Sequence, residues 1–145
     1  MSTQHAYTYR HPHPAVTSDC VVFGYDMNDL LSILLIQRGS NPYRGRWTIP
    51  GGFLEMNEDA MSCTRRELKE ETGLEISSLE EIGSFSDVGR DTRERVVSIA
   101  LFTLSRTRPV KCSDDAVQAH RFPLQMIFSC SLFDGNQCST LGGSG

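Results

Sequence analysis

The sequence has no C-x-x-C pair, no apolar run approaching the length of a membrane span and no surplus of basic residues. Each absence excludes something. Without paired cysteine spacing, and with the histidines at 5, 11, 13 and 120 outside finger spacing, a structural zinc site is not expected. The five cysteines (Cys20, Cys63, Cys112, Cys130 and Cys138) are odd in number, which suits free thiols in a reducing cytoplasm better than a disulfide framework. The N-terminal MSTQHAYTYRHPHP has no apolar signal core, so neither a leader nor a membrane anchor is expected. Fourteen basic against eighteen acidic residues leave a net charge of −4, a poor footprint for non-specific nucleic-acid binding.

What is there reads as one domain. Hydrophobic content of 39% and charged content of 22% over 145 residues are globular values. Residues 1–14 read as an extended lead-in. Residues 16–25 and 30–38 are rich in β-branched and aliphatic residues and predict strands, the second buried on both faces by its near-continuous apolar run. GSNPYRGR (39–46) reads as a loop, and WTIPGGF (47–53) as a short strand ending in a turn. A helix follows, with Asn57 as its expected N-cap, Glu58 and Asp59 in its first turn and Gly73 as its stop. Strands are then expected over 79–87, 96–105 and, less strongly patterned, 116–124, with a charged loop at 88–95. Strands on either side of a helix indicate an α/β protein with a mixed sheet.

The helix carries the first chemical signal. At 3.6 residues per turn, Ala60, Met61, Thr64 and Leu68 form its expected core stripe. Glu67, Glu70 and Glu71 lie together on an arc of roughly 100° beside that stripe rather than on the best-solvated face. Each i,i+3 or i,i+4 pair of like charges costs about 0.2–0.5 kcal/mol in an isolated helix. Arg66 offsets part of this through its i,i+4 pairing with Glu70. A solvated acidic face is one reading; a site for Mg²⁺ or Mn²⁺, which prefer carboxylate oxygen, is the other. Gly51 and Gly52, just before the helix, permit close approach of a ligand to the backbone.

Gly52, then Glu58, then Arg66-Glu67-Leu68-Lys69-Glu70-Glu71-Thr72-Gly73-Leu74 at their spacing resemble the Nudix hydrolase signature at every defined position. The resemblance implies the Nudix fold, a mixed β-sheet sandwiched between α-helices, over residues 15–135, with 136–145 a flexible tail. It implies that Glu67, Glu70 and Glu71, with the Gly51 carbonyl, hold a divalent metal, that Arg66 orients a glutamate, and that Glu58 supports the start of the helix through Arg66. Glu67 is one candidate for the base that activates water. Gly52, Glu58 and Gly73 are the structural positions of the motif.

HPAVTSDCVVFGYD, LLIQRGSNPYRGRWTIPGGFLE and FSDVGRDTRERVVSIALF are further similar to the ADP-ribose pyrophosphatase branch, which also serves as the sensor domain of some bacterial regulators. Thr92 stands where that branch usually has Pro, and Glu94 where Gly is common. The branch implies hydrolysis of ADP-ribose to AMP and ribose 5-phosphate, with an oxidised-nucleotide triphosphatase or a non-catalytic ADP-ribose sensor as alternatives. The sensors carry a winged-helix domain after this one, for which 145 residues leave no room; that and the intact signature favour catalysis.

Arg38, Arg44, Arg46, Arg90 and Arg93 are the cationic candidates for gripping a diphosphate, and Phe85 for stacking on a base. Trp47 reads as core at the sheet edge, and Asp114 and Asp115 as a loop where the family often keeps an additional acid. The final MIFSCSLFDGNQCSTLGGSG is short for the helix expected there, and Asp134-Gly135-Asn136 would interrupt it. Truncation, or a homodimer that completes the fold, is the expected explanation.

Overall fold

A computed structural model describes residues 6–28, 30–41, 43–110 and 116–129. Asp114, Asp115 and everything from Cys130 onward, including Asp134-Gly135-Asn136, lie outside the described residues. Strand β1 (Ala15–Tyr25) pairs in parallel with β6 (Val96–Arg106) along its whole length, from Ala15↔Val96 to Tyr25↔Arg106. This pair is the spine of the sheet. β5 (Glu80–Phe85) adds antiparallel to β6 and forms one edge.

The other side of β1 is shared between two strands. β2 (Leu31–Arg38) pairs with its far end, Phe23↔Ile33 to Tyr25↔Leu31, and β4 (Gly51–Phe53) with its near end, Thr17↔Phe53 to Asp19↔Gly51. β3 (Trp47–Thr48) and β7 (Ala116–Pro123) both pair with β2. The sheet therefore opens between β2 and β4. WTIPGGF is two short strands rather than one, because Pro50 has no N–H to continue a ladder, while its carbonyl accepts from the Cys20 N–H at 2.9 Å. β2 buries Leu34, Leu35 and Ile36 in succession, as its apolar run predicted.

Helix α1 (Ala60–Thr72) packs on β1 and β4. Its N-cap is Asp59, whose carboxylate accepts from the Ser62 N–H at 2.7 Å; Asn57 and Glu58 precede the helix instead of capping or starting it. Asp59 wins because its own backbone is extended, as the cap position requires, and its side chain reaches the third helical residue. Gly73 closes the helix in the left-handed region at φ 71°, its N–H bonding to the Lys69 carbonyl.

The buried stripe is Cys63, Thr64, Leu68 and Thr72, with Ala60 partly covered and Met61 exposed. The stripe is more polar than expected because β1 presents Ser18 to it: the Ser18 hydroxyl lies 2.8 Å from the Ala60 carbonyl and 2.6 Å from Thr64 Oγ1. Beyond these satisfied hydroxyls, Leu68 joins Cys20, Val22, Leu34, Leu74, Leu79 and Leu101 in one apolar core. α2 (Leu124–Ser129) follows β7 directly.

Candidate active site

The gap between β2 and β4 is a pocket of about 260 Å³, floored by Thr17 and Asp19 of β1, Gly51 and Gly52 of β4, and Glu71 of α1. Arg38 and Arg93 contribute its cationic wall. Glu71 arrives there because it follows the buried Leu68 by three residues, which brings it round toward β4. Its carboxylate accepts from the Gly51 N–H at 3.2 Å. Burial, and then the charge of Glu67, push the Glu71 carboxyl up to about 8.

Glu67 lies against Gly52, so closely that a methyl group at position 52 would meet its carboxylate. Arg66 holds the neighbouring acids. It donates through Nε and Nη2 to both oxygens of Glu58, at 3.1 and 2.6 Å, and through Nη1 to Glu67 at 2.7 Å and Glu70 at 3.4 Å. A further bond from Nη2 to the Phe53 carbonyl ties the turn before the helix to the same guanidinium. These bonds lower the Glu58 carboxyl to about 2 and raise the Arg66 pKa above its ordinary value. The Glu67 carboxyl is raised by burial, against the opposing pull of Arg66.

The donors fit a hard divalent cation by their chemistry. They are all carboxylate oxygens, apart from the main chain at Gly51, and Glu71 is a half-buried carboxylate that no described arginine or lysine reaches for an ion pair. As their side chains stand, no three described histidine, cysteine or acidic residues converge closely enough to enclose an ion. Arg66 and the Gly51 N–H engage them instead.

The arginines separate into two groups. Arg38 and Arg93 line the pocket; Arg38 Nε is buried and unbonded, whereas Arg93 is chelated by Asp91, at 3.0 and 2.7 Å, over the Phe53 ring. Arg44, Arg46, Arg90 and Phe85 are exposed and are not part of the pocket wall. Arg46 rests over Tyr43, and Arg90 donates to Ser98 Oγ at 2.5 Å. Trp47 is half-buried at the strand where the sheet opens and packs edge-on against Phe122, with ring centroids 5.0 Å apart.

Sequence reasoning missed Asp19. Its carboxyl accepts from Thr17 Oγ1 at 3.0 Å, and Thr17 in turn lies 2.6 Å from Ser98 Oγ. Burial raises its pKa; the hydroxyls of Thr17 and Ser98, and the charge of Arg90, oppose the rise. The available signal was an acid in the middle of a strand pattern, which costs too much to bury without a purpose or a partner.

Known proteins are similar to this chain in sequence and fold. A family model described as the NUDIX domain matches residues 12–137. ADP-ribose pyrophosphatase from Methanocaldococcus jannaschii is 38% identical over 117 residues, which are 79% of this chain and 65% of that protein. The ADPR responsive transcriptional repressor NtrR of Acinetobacter baylyi is 38% identical over 96 residues, 65% of this chain and 38% of the repressor. The chain thus spans less than two thirds of the length of either relative.

A MutT/nudix family protein from Enterococcus faecalis superposes with a TM-score of 0.76 at 37% identity, over 81% of this chain and 47% of that one. The NUDIX domain of Shewanella oneidensis NrtR, complexed with ADP ribose, gives a TM-score of 0.75 at 24% identity, over 82% and 79% of the two chains, a likeness of fold. With the family model matched over residues 12–137 and a solved family member sharing the fold, the chain belongs to the Nudix hydrolase family.

Proposed function

We propose that the protein hydrolyses the diphosphate of a nucleoside diphosphate derivative with the help of Mg²⁺ or Mn²⁺, ADP-ribose to AMP and ribose 5-phosphate being the leading case. The observation that carries this reading is the pocket itself: Glu71 and Asp19 stand at Gly51 and Gly52 of β4 with Arg38 and Arg93 on the wall. Glu67, Glu70 and Glu71, with the Gly51 carbonyl, would hold the cation. When bound, it would neutralise diphosphate oxygens and acidify a water. Arg38, with an unbonded buried Nε, would donate to a phosphate oxygen. Arg66 keeps Glu67 and Glu70 aligned, and Glu67 is the candidate base.

The choice of ADP-ribose rests on the pyrophosphatase relative and on the stretch Arg90–Ala100. One specific observation favours a second reading, an ADP-ribose-sensing module, since a comparably similar relative is the ADPR responsive repressor.

Incubation with Mg²⁺ and ADP-ribose, 8-oxo-dGTP, NADH or a dinucleoside polyphosphate separates these. Preferred cleavage of ADP-ribose is expected. Preferred cleavage of the triphosphate would replace the substrate, and tight ADP-ribose binding without cleavage of any compound would replace the enzyme by the sensor. Glu70→Gln is expected to lower turnover by roughly a hundredfold or more while leaving folding stability within about 0.5 kcal/mol, because Glu70 is largely exposed. Retained activity would remove Glu70 from the metal site. A homodimer in a cytoplasmic setting completes the proposal; sedimentation of a monomer at micromolar concentration would remove that part.

A further inference from the structure

A second pocket, of about 710 Å³, lies at the opposite end of β1, beyond the last β1–β2 pair. Leu30, Leu31 and Leu124 form its apolar walls, and Arg121 of β7 reaches into its lining. The guanidinium of Arg121 is packed against Gly24, where a Cβ would come within 2.6 Å of Nη1. The same missing Cβ would stand 3.0 Å from Ser32 Oγ and 3.2 Å from Thr107 Oγ1. One guanidinium and two hydroxyls therefore gather around a glycine at the end of β1, at the foot of an apolar cavity.

Among the described residues Arg121 has no partner. Its Nε, Nη1 and Nη2 are all buried without a hydrogen bond, and among the described residues no carboxylate lies within ion-pair distance. Burial pulls its pKa below the ordinary arginine value with no acid to raise it. Asp26 at the pocket's edge is already engaged, its Oδ1 accepting from the N–H groups of Asn28 and Leu30 at 2.8 and 3.2 Å. An arginine remains charged in such surroundings, and a buried charge without a counter-ion is strongly unfavourable. The arrangement makes chemical sense when an anion completes it.

We propose that this cavity is a second ligand site, separate from the Nudix pocket, that binds a small amphipathic carboxylate: the carboxylate on Arg121 with Ser32 and Thr107 beside it, and the apolar body against Leu30, Leu31 and Leu124. A monoanionic carboxylate fits better than a dianionic phosphate, because Asp26 already places a negative charge on the lining. The Arg121 side chain meets the ligand by turning from Gly24 into the cavity, a change within reach of its flexible stem.

The test uses the full chain and octanoate, with 1-octanol as the neutral isostere and octyl phosphate as the dianion. In calorimetric titration octanoate should bind, and octanol, octyl phosphate and the Arg121→Gln variant with octanoate should each be weaker by roughly tenfold or more. If Arg121→Gln does not fold, amide chemical shifts of the wild-type chain decide: octanoate should move Leu31, Ser32, Thr107 and Arg121. Shifts centred on Gly51, Gly52 and Glu71, equal affinity for octanol, or no binding at millimolar octanoate would each overturn the proposal.

Discussion

Gly51 and Gly52 are adjacent, yet a methyl group has different consequences at each. At position 51 it would stand 2.6 Å from the Ser18 carbonyl and 2.8 Å from Asp19 Cα, backbone atoms of the strand spine that cannot yield. At position 52 it would meet the Glu67 carboxylate, the far end of a flexible side chain. Gly51→Ala is therefore expected to lose folding stability. Gly52→Ala should fold with nearly unchanged stability, yet, on the role proposed for Glu67, lose roughly a hundredfold in kcat/KM, because displacing such a group by about 1 Å costs that much. Thermal melts and steady-state kinetics of the pair check this; an active Gly52→Ala would show that the position of Glu67 is unimportant.

The glycine pair and the clustered acids were legible because both lie within one short stretch of sequence. Asp19 was not, since its setting is made by Ser98, 81 residues away from the Thr17 hydroxyl that links them. Arg38 was legible as a cation but not as an unbonded one, which only its packing reveals.

At the scale of the element, α1 shows which features local sequence determines. Gly73 stops it where a left-handed residue is needed, and that requirement is written in a single residue. The start is ambiguous, because Asn57, Glu58 and Asp59 are all plausible near a cap, and only the backbone decides. Asp59→Ala should cost about 1 kcal/mol in chemical denaturation, whereas Asn57→Ala should cost almost nothing. The reverse order would reinstate Asn57.

The positions 60, 64, 68 and 72 step round the helix by about 40° each, and Met61, which lies between Leu68 and Thr72 in angle but in the first turn, is exposed despite being apolar. Thr72 is buried instead, its hydroxyl satisfied by the Leu68 carbonyl at 2.6 Å. Hydrophobic identity pointed to Met61, while the facing strand presents the Ser18 hydroxyl, which pairs with Thr64.

Across the whole molecule, the strands were readable one by one but their order was not. The parallel union of β1 with β6, and the division of β1's other edge between β2 and β4, depend on partners far apart in the chain. That division opens the candidate pocket, and it makes the half-buried acids there a property of the entire fold. Glu71 has a folded pKa of about 8 against 4.5 for the free side chain. Between those values the folded protein holds a proton that the unfolded chain has released, so this group's contribution to stability falls as pH rises from about 4.5 to about 8. Glu67 and Asp19, also raised by burial, act in the same direction. Glu58 and Asp91, lowered to about 2, contribute stability that is lost only in acid below that window. The chelated protein should therefore have a lower Tm at pH 8 than at pH 5. Glu71→Gln, which cannot ionise, should flatten that slope and be the more stable chain at pH 8, by up to a few kcal/mol at about 1.36 kcal/mol per pKa unit. Added Mg²⁺ should raise the wild-type Tm at pH 8 by binding only the folded state, and should act far less on Glu71→Gln. Calorimetric melts in EDTA and in Mg²⁺ across this range give the answer: a wild-type slope that Glu71→Gln leaves unchanged would place the titrating group elsewhere.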